Sequence, residues 1–279
     1  MVKRLFTIAF VVAVFAQACL AQQLVSPPAS DSSFVLLKTY SGDIADAALD
    51  HLDNLYIISS SGQIRKFAAN GDSVAVYNQV RNFGSLFSLD VANPLRPLLF
   101  YKDFSTLVLL DRFLANRAIV DLRKHNILHP GAAGLSYDNN IWVFDEYENK
   151  LKKINEQGTL LSETADFRTV FPEPVRPQKI LSTNGLVYLA DSAHGVFVFD
   201  NYGSFKQKIP LKNWQSIAVK EQYLIQTLPG EIAAYNTATF LEARKRLPAF
   251  LQADHRSYST ASKLVIFSAD SLRLYQYKF

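Results

Sequence analysis

Six times along the chain a short apolar run, a polar turn and a second apolar run recur, with the runs beginning at Leu55, Leu98, Ile141, Val187, Leu224 and Val265. The gaps of 43, 43, 46, 37 and 41 residues fall in the range of propeller and solenoid units, whose faces are buried only against neighbouring copies. Each unit reads as four short strands. In the third these are residues 134–137, 141–144, 151–154 and 159–162, separated by turn-forming residues. Third strands align across the units as Ile64/Phe67, Leu107/Leu110, Leu151/Ile154, Val196/Phe199, Ile232/Tyr235 and Leu272/Tyr275. The turn that follows recurs as Asn70-Gly71, Gln157-Gly158 and Tyr202-Gly203, where glycine supplies a positive φ.

Runs such as Val196-Phe197-Val198-Phe199 do not alternate with polar residues, as expected of strands buried on both faces in radially packed sheets. Helical periodicity is confined to 239–247, which predicts a short helix or a long loop between the fifth and sixth units. The sixth unit stops at Phe279, just after its third strand, while a strand over 34–40 precedes the first unit's innermost strand. Placing that strand outermost in the last unit leaves no open sheet edge. The expected fold is an all-β, six-bladed β-propeller over 34–279 whose N-terminal strand closes the last blade.

The first residues read as an export signal over 1–21, with a charged start at Lys3 and Arg4, an apolar centre over 5–15 and small residues at Ala16, Ala18 and Ala21. That centre is shorter than the roughly 20 residues needed to span a bilayer. The chain is thus expected in the periplasm or secreted, with no membrane span. Cys19, the single cysteine, loosely resembles a lipoprotein anchor point, the lesser alternative. Ala16 and Gln17 stand where that pattern has a larger apolar residue and a small one. Cleavage after Ala21 leaves a mature chain without disulfides or cysteine chemistry. Residues 22–33, with Ser26-Pro27-Pro28-Ala29-Ser30, read as an exposed tether.

Charge narrows the partners. The formal net charge of +4 falls to +2 once Lys3 and Arg4 are removed, and the only basic run is Arg244-Lys245-Arg246, which leaves little footprint for nucleic acid.

Residues 187–203 (VYLADSAHGVFVFDNYG) resemble an NHL-type propeller repeat: an apolar strand ending in Ala-Asp-Ser, a polar turn, an apolar strand and a glycine turn. Residues 141–158 resemble it less closely, with Asp145 at the corresponding aspartate, while Ser59 and Thr227 lie near that position in other units. The resemblance implies a scaffold that binds small molecules or proteins, or less often an enzyme.

No His-Glu-x-x-His, Gly-x-Ser-x-Gly or phosphate-loop motif occurs. The acidic stretch 145–148 (DEYE) has the chemistry of paired carboxylates or hard-cation ligands. Aspartates at similar repeat positions, Asp103 and Asp191, point instead to turn capping. The five histidines, His51, His125, His129, His194 and His255, match no metal-ligand spacing, so no metal site and no cofactor is expected.

Blade geometry does single out residues. The connection between second and third strands opens on the same face as the connection between blades, and just before successive innermost strands stand Arg81, His129, Arg176, Trp214, His255 and Arg256. These are the candidate ligand-binding residues, a donor-rich funnel suited to an acidic small molecule. Solvated loops would also be polar. The expectation is a monomeric, non-catalytic binder of an acidic small molecule or a protein, with a metal-dependent lactonase-like hydrolase as the alternative.

Overall fold

The computed structural model describes residues 33–78, 83–251 and 256–279. The expected leader and tether, and the candidate residues Arg81 and His255, lie outside them.

Six four-stranded antiparallel sheets follow one another, each ordered from innermost to outermost strand as the chain runs. Blade 1 comprises Asp46–Leu49, Leu55–Ile58, Ile64–Phe67 and Ser73–Tyr77; blade 2, Ser88–Asp90, Leu98–Tyr101, Thr106–Leu110 and Asn116–Asp121. Blade 3 comprises Pro130–Leu135, Ile141–Asp145, Lys150–Ile154 and Leu160–Glu163; blade 4, Lys179–Thr183, Leu186–Asp191, Gly195–Asp200 and Phe205–Ile209. Blade 5 comprises Ser216–Lys220, Tyr223–Leu228, Glu231–Asn236 and Glu242–Arg246. Blade 6 takes Arg256–Ser259, Lys263–Phe267 and Ser271–Tyr277 from the C-terminus and its outermost strand, Phe34–Ser41, from the N-terminus. The molecule is a six-bladed β-propeller closed by its N-terminal strand.

Burial shows why the strands lack polar alternation. In blade 4, Val187 and Leu189 join a cluster with blade 3 residues Trp142 and Phe144, whereas Tyr188 and Ala190 join one with blade 5 residues Ile217 and Leu224. In blade 2, Leu98 and Phe100 face blade 3 while Leu99 and Tyr101 face blade 1. Successive residues of a strand point to opposite faces, and here each face meets another blade.

Two expectations are corrected. The segment 239–247 forms no helix: Glu242–Arg246 is the outermost strand of blade 5, paired with Glu231–Tyr235. Its Glu-Ala-Arg-Lys-Arg sequence favours helix by propensity, but ladder hydrogen bonds to its neighbour override that preference. The innermost strand of blade 3 begins at Pro130, not Gly134, and Gly134 is small for a packing reason. A Cβ there would lie 2.3 Å from the Ile180 carbonyl oxygen of blade 4.

The turns between third and fourth strands carry a further recurring device. Asp111 accepts from the Phe113 and Ala115 amides, Asn155 from Gln157 and Thr159, and Asp200 from Tyr202 and Ser204. Each side chain replaces backbone partners that the tight turn denies.

Closure rests on a seven-pair register from Phe34↔Tyr277 to Ser41↔Ser271, with a bulge between Leu36 and Lys38. Phe34 stacks on Tyr277 at a centroid distance of 5.7 Å and joins the cluster between blades 5 and 6 with Ile225, Ile232 and Leu264. Deleting residues 22–31 is expected to leave the thermal midpoint unchanged. Deleting through Tyr40 removes the ladder and the Phe34 packing, and Phe34→Ala alone should cost about 3 kcal/mol. Thermal melts of the two truncations check this: equal midpoints contradict closure by this strand.

Candidate functional site

The antiparallel order places blade-to-blade connections and second-to-third-strand loops on one face, here called the junction face. Of the described candidates, His129 is exposed just before the innermost strand of blade 3, its ring 6.1 Å from that of Tyr147. Arg176 is exposed before blade 4; its backbone N–H donates to Asp191 Oδ2 at 2.8 Å. Arg256 opens the innermost strand of blade 6, its guanidinium 5.0 Å from the Phe267 ring centroid. Trp214 is half-buried against the cluster that contains Tyr188 and Ile217, and its indole N–H meets no acceptor among the described residues. Its ring thus belongs mainly to the packing between blades 4 and 5. The four share the face, but no hydrogen bond or ring contact joins any two of them.

The innermost strands themselves carry a further set of polar groups. Lys179 is the first residue of the innermost strand of blade 4. Its Nζ lies 5.6 Å from the ring centroid of Tyr258 in blade 6, and its charge interacts with Asp46 of blade 1 and Asp90 of blade 2. None of these blades is next to blade 4. A side chain that meets blades 6, 1 and 2 from blade 4 does so across the centre of the ring, so these residues line the channel.

Lys179, Asp90 and Tyr258 are half-buried and Asp46 is exposed. Burial pushes the Lys179 ammonium below the usual lysine range, against the opposing pull of Asp46 and Asp90. Burial likewise raises the Asp90 carboxyl, although the Leu135 and Ala92 amides donate to it at 2.7 and 2.8 Å and the Lys179 charge favours ionisation. Tyr258 is raised by burial and by the carboxylates of Asp90, Asp46 and Asp50, so its hydroxyl stays protonated. The Lys179 ammonium makes no ion pair or hydrogen bond among the described residues. The sequence signal for these residues was a lysine and a tyrosine on innermost strands, which the repeat alignment, built on second and third strands, does not cover.

Beside the channel, Asp191 is fully buried and accepts four hydrogen bonds. The Ala193, His194 and Arg176 amides donate at 2.9, 3.1 and 2.8 Å, and His194 Nδ1 lies 2.8 Å from Oδ2. A carboxylate acceptor fixes the tautomer with the proton on Nδ1 and leaves Nε2 available outward.

The acidic stretch of blade 3 is paired with lysines of blades 2 and 3. Asp145 caps the Tyr147 and Glu148 amides at 3.0 and 3.3 Å and pairs with buried Lys152 at 2.9 Å. Glu148 also pairs with Lys152, at 3.1 Å, and Glu146 with Lys102, at 2.9 Å. Asp191 and Asp145 share the capping role expected of them, but Asp103 does not: it lies in the loop beyond Tyr101, the residue that pairs in register where Asp145 and Asp191 do. At Thr227 the capping aspartate gives way to a hydroxyl chain, in which Ser216 Oγ donates at 3.0 Å and Ser259 Oγ of blade 6 lies at 2.7 Å. Among the described residues no group of three His, Cys, Asp or Glu side chains is placed to hold a metal ion. A cavity of about 260 Å³ opens between blades 1 and 2 on the junction face, lined by Ser59, Ser60, Ser61, Ser88 and channel residue Asp46.

No protein-family model and no curated protein sequence matches the chain. Among solved structures it is similar to a catalytically inactive virginiamycin B lyase from Staphylococcus aureus with quinupristin, at 10% identity over 87% of this chain and 99% of that one, TM-score 0.57. It is also similar to a streptogramin B lyase (15% identity, 82% and 77% covered, TM-score 0.55). A third likeness is to the Pan2 WD40 domain of Neurospora crassa (13% identity, 91% and 100% covered, TM-score 0.52). Likeness at this level of identity shows the propeller fold alone.

The Asp145–Lys152 pair yields a stability prediction. Lys152→Met leaves a buried carboxylate without its counter-charge and should cost about 3–5 kcal/mol. Adding Asp145→Asn should recover part of that loss, because the amide oxygen still caps the Tyr147 and Glu148 amides. Urea unfolding of the single and double variants measures both, and equal stabilities for Lys152→Met and the parent chain contradict the structural role.

Proposed function

We propose that the chain is an exported, non-catalytic binding propeller of NHL type that takes an acidic small molecule at the junction-face mouth of its channel. The carrying observation is Lys179, a half-buried channel lysine with no carboxylate at ion-pair distance among the described residues. A partly desolvated ammonium without a counter-ion is incompletely compensated, and an anion entering the channel supplies that partner. Arg176 and Arg256, whose guanidinium groups form no ion pair among the described residues, stand at the starts of blades 4 and 6, the two blades that carry Lys179 and Tyr258. They offer planar, multi-donor recognition of a carboxylate or phosphate.

Export rests on the leader-like segment before Gln22. Among the described residues no helix is long and apolar enough to cross a membrane. Intact-mass measurement on protein from the native host is expected to give a chain beginning at Gln22 without lipid. A chain beginning at Cys19 with a diacylglycerol increment would replace secretion by anchoring.

One observation favours a protein partner as the second reading. Phe87, Phe104, Leu128 and Tyr147 are all exposed where blades 2 and 3 meet the junction face, beside the Lys102–Glu146 pair.

The acid-binding reading is tested by a thermal-shift screen of organic acids, phosphates and sugar acids, followed by mutants. Each charged hydrogen bond contributes roughly 1.5–3 kcal/mol, so Arg176→Ala with Arg256→Ala should weaken the best ligand by a hundredfold or more while the unliganded melt barely moves. Arg65→Ala, on the third strand of blade 1, controls for loss of positive charge. If no acid shifts the melt, or if Arg65→Ala weakens binding equally, the reading fails.

A further inference from the structure

The turns between first and second strands, and between third and fourth strands, all lie on the face of the ring opposite the junction face. Among the described residues seven large apolar side chains are more than 55% exposed. Leu52, Leu95, Tyr137, Tyr202, Phe240 and Leu241 stand in these turns, and only Tyr147 lies on the junction face. Phe113 and Phe279, also exposed, complete a set with a member on every blade.

Four of these side chains are presented by one device. The Leu52 amide donates to Asp50 Oδ1 at 2.9 Å, Leu95 to Asn93 at 3.0 Å, Phe113 to Asp111 at 2.8 Å and Tyr202 to Asp200 at 2.9 Å. Such a cap uses only the amide two positions on and places no demand on that residue's side chain. Blade 3 accordingly carries the polar Gln157 there. Leucine, phenylalanine and tyrosine in this exposed position are not explained by the fold.

We propose that this turn face docks the propeller on the surface of a zwitterionic bilayer, with the apolar tips entering the boundary between headgroups and acyl chains. The tips are spread over six blades at one end of the ring. A planar lipid surface meets all of them at one depth, whereas a protein ligand needs one contiguous patch. Aromatic side chains, tyrosine above all, suit that boundary.

Charge and chain entry both select the bilayer. Acids of the turns are largely matched within the ring: Asp138 with Lys153, Glu156 with Arg96 and Arg117, Asp200 with Lys206, and Asp53 with Lys263. In or beside the same turns Arg112, Lys220 and Lys278 are exposed without an ion pair among the described residues, as are the acids Asp72 and Glu221. Arg112 lies 4.7 Å from the Phe113 ring centroid, so a cation accompanies one of the tips. Free charges of both signs complement headgroups that carry a phosphate and a cation. The strand Phe34–Ser41 also starts on this face, where Phe34 pairs with Tyr277. The leader-like segment and tether of the sequence thus join the ring here, which turns this face toward a membrane. Docking leaves the channel mouth on the junction face open to solution and does not depend on what the channel binds.

Residues 22–279, which keep the whole closed ring and contain no cysteine, are mixed with phosphatidylcholine vesicles. The expected result is co-sedimentation at millimolar lipid that high salt leaves nearly unchanged, because apolar insertion is not screened. Tyr202→Cys, Leu241→Cys and Tyr147→Cys, each labelled with a polarity-sensitive fluorophore, report the face: the first two should brighten on vesicles and the third should not. Phe240→Asp with Leu241→Asp should lower partitioning at least about tenfold and leave the thermal midpoint unchanged, since both side chains are exposed.

No co-sedimentation, or a response confined to the label at position 147, overturns the inference. Binding restricted to phosphatidylglycerol vesicles and lost in high salt overturns it too, as adsorption by charge alone. A concentration-dependent dimer that the paired aspartate substitutions abolish assigns the face to a second copy of the chain instead.

Discussion

The ring depends on one constraint: every central strand of a blade must fill two hydrophobic interfaces at once. Alternate side chains of a strand go to opposite faces, and in a closed ring both faces meet neighbouring sheets. The consequence is visible in the pairing of Leu55 and Ile57 with blade 6 while Tyr56 and Ile58 pair with blade 2. Six such clusters, one per junction between blades, replace a single core. A polar substitution on a second or third strand therefore damages one identifiable junction and leaves the other face of the same strand intact.

This constraint explains what could be read from the residues. Runs such as Val196-Phe197-Val198-Phe199 are apolar at every position because no position faces water, and their spacing along the chain counts the blades. The outermost strands are different. They are half-exposed, so Glu242–Arg246 carries charges at every position but Ala243 and its pattern is closer to that of a helix than of a buried strand. Innermost strands were also poorly legible: short, built from small residues such as Gly131, Ala132 and Ala133, and in part exposed to the channel. Lys179, Asp90 and Tyr258 converge only once the ring is assembled, from positions far apart in the chain. No local spacing encodes that meeting. Trp214 illustrates the converse, since a position before an innermost strand does not determine whether its ring turns to the channel or to the neighbouring blade.

Electrostatics divides the molecule into two regimes. On blade 3 the carboxylates of Asp145 and Glu148 both pair with Lys152, and Glu148 also lies 3.6 Å from Lys150, so that this edge of the junction face is ion-paired. In the channel the opposite holds, with half-buried Lys179, Asp90 and Tyr258 and exposed Asp46 facing one another but no ion pair to Lys179 among the described residues. The buried Asp191, saturated by three amides and His194, shows that this fold can satisfy a carboxylate fully when the role is structural.

The closing strand has a consequence for the order of events during folding. Phe34–Ser41 leaves the ribosome before any blade exists, yet its pairing partner Ser271–Tyr277 is nearly the last segment made. Until then its apolar side chains have no sheet to join, and Val35, Leu36 and Leu37 remain largely exposed even in the finished ring. The entropy of joining such distant segments grows only logarithmically with separation, so the latch is thermodynamically inexpensive, but long-range pairing is slow. Five blades can form locally as they are made, whereas the sixth waits for both ends of the chain. A ring built this way remains incomplete throughout synthesis, a state compatible with passage across a membrane before folding is finished.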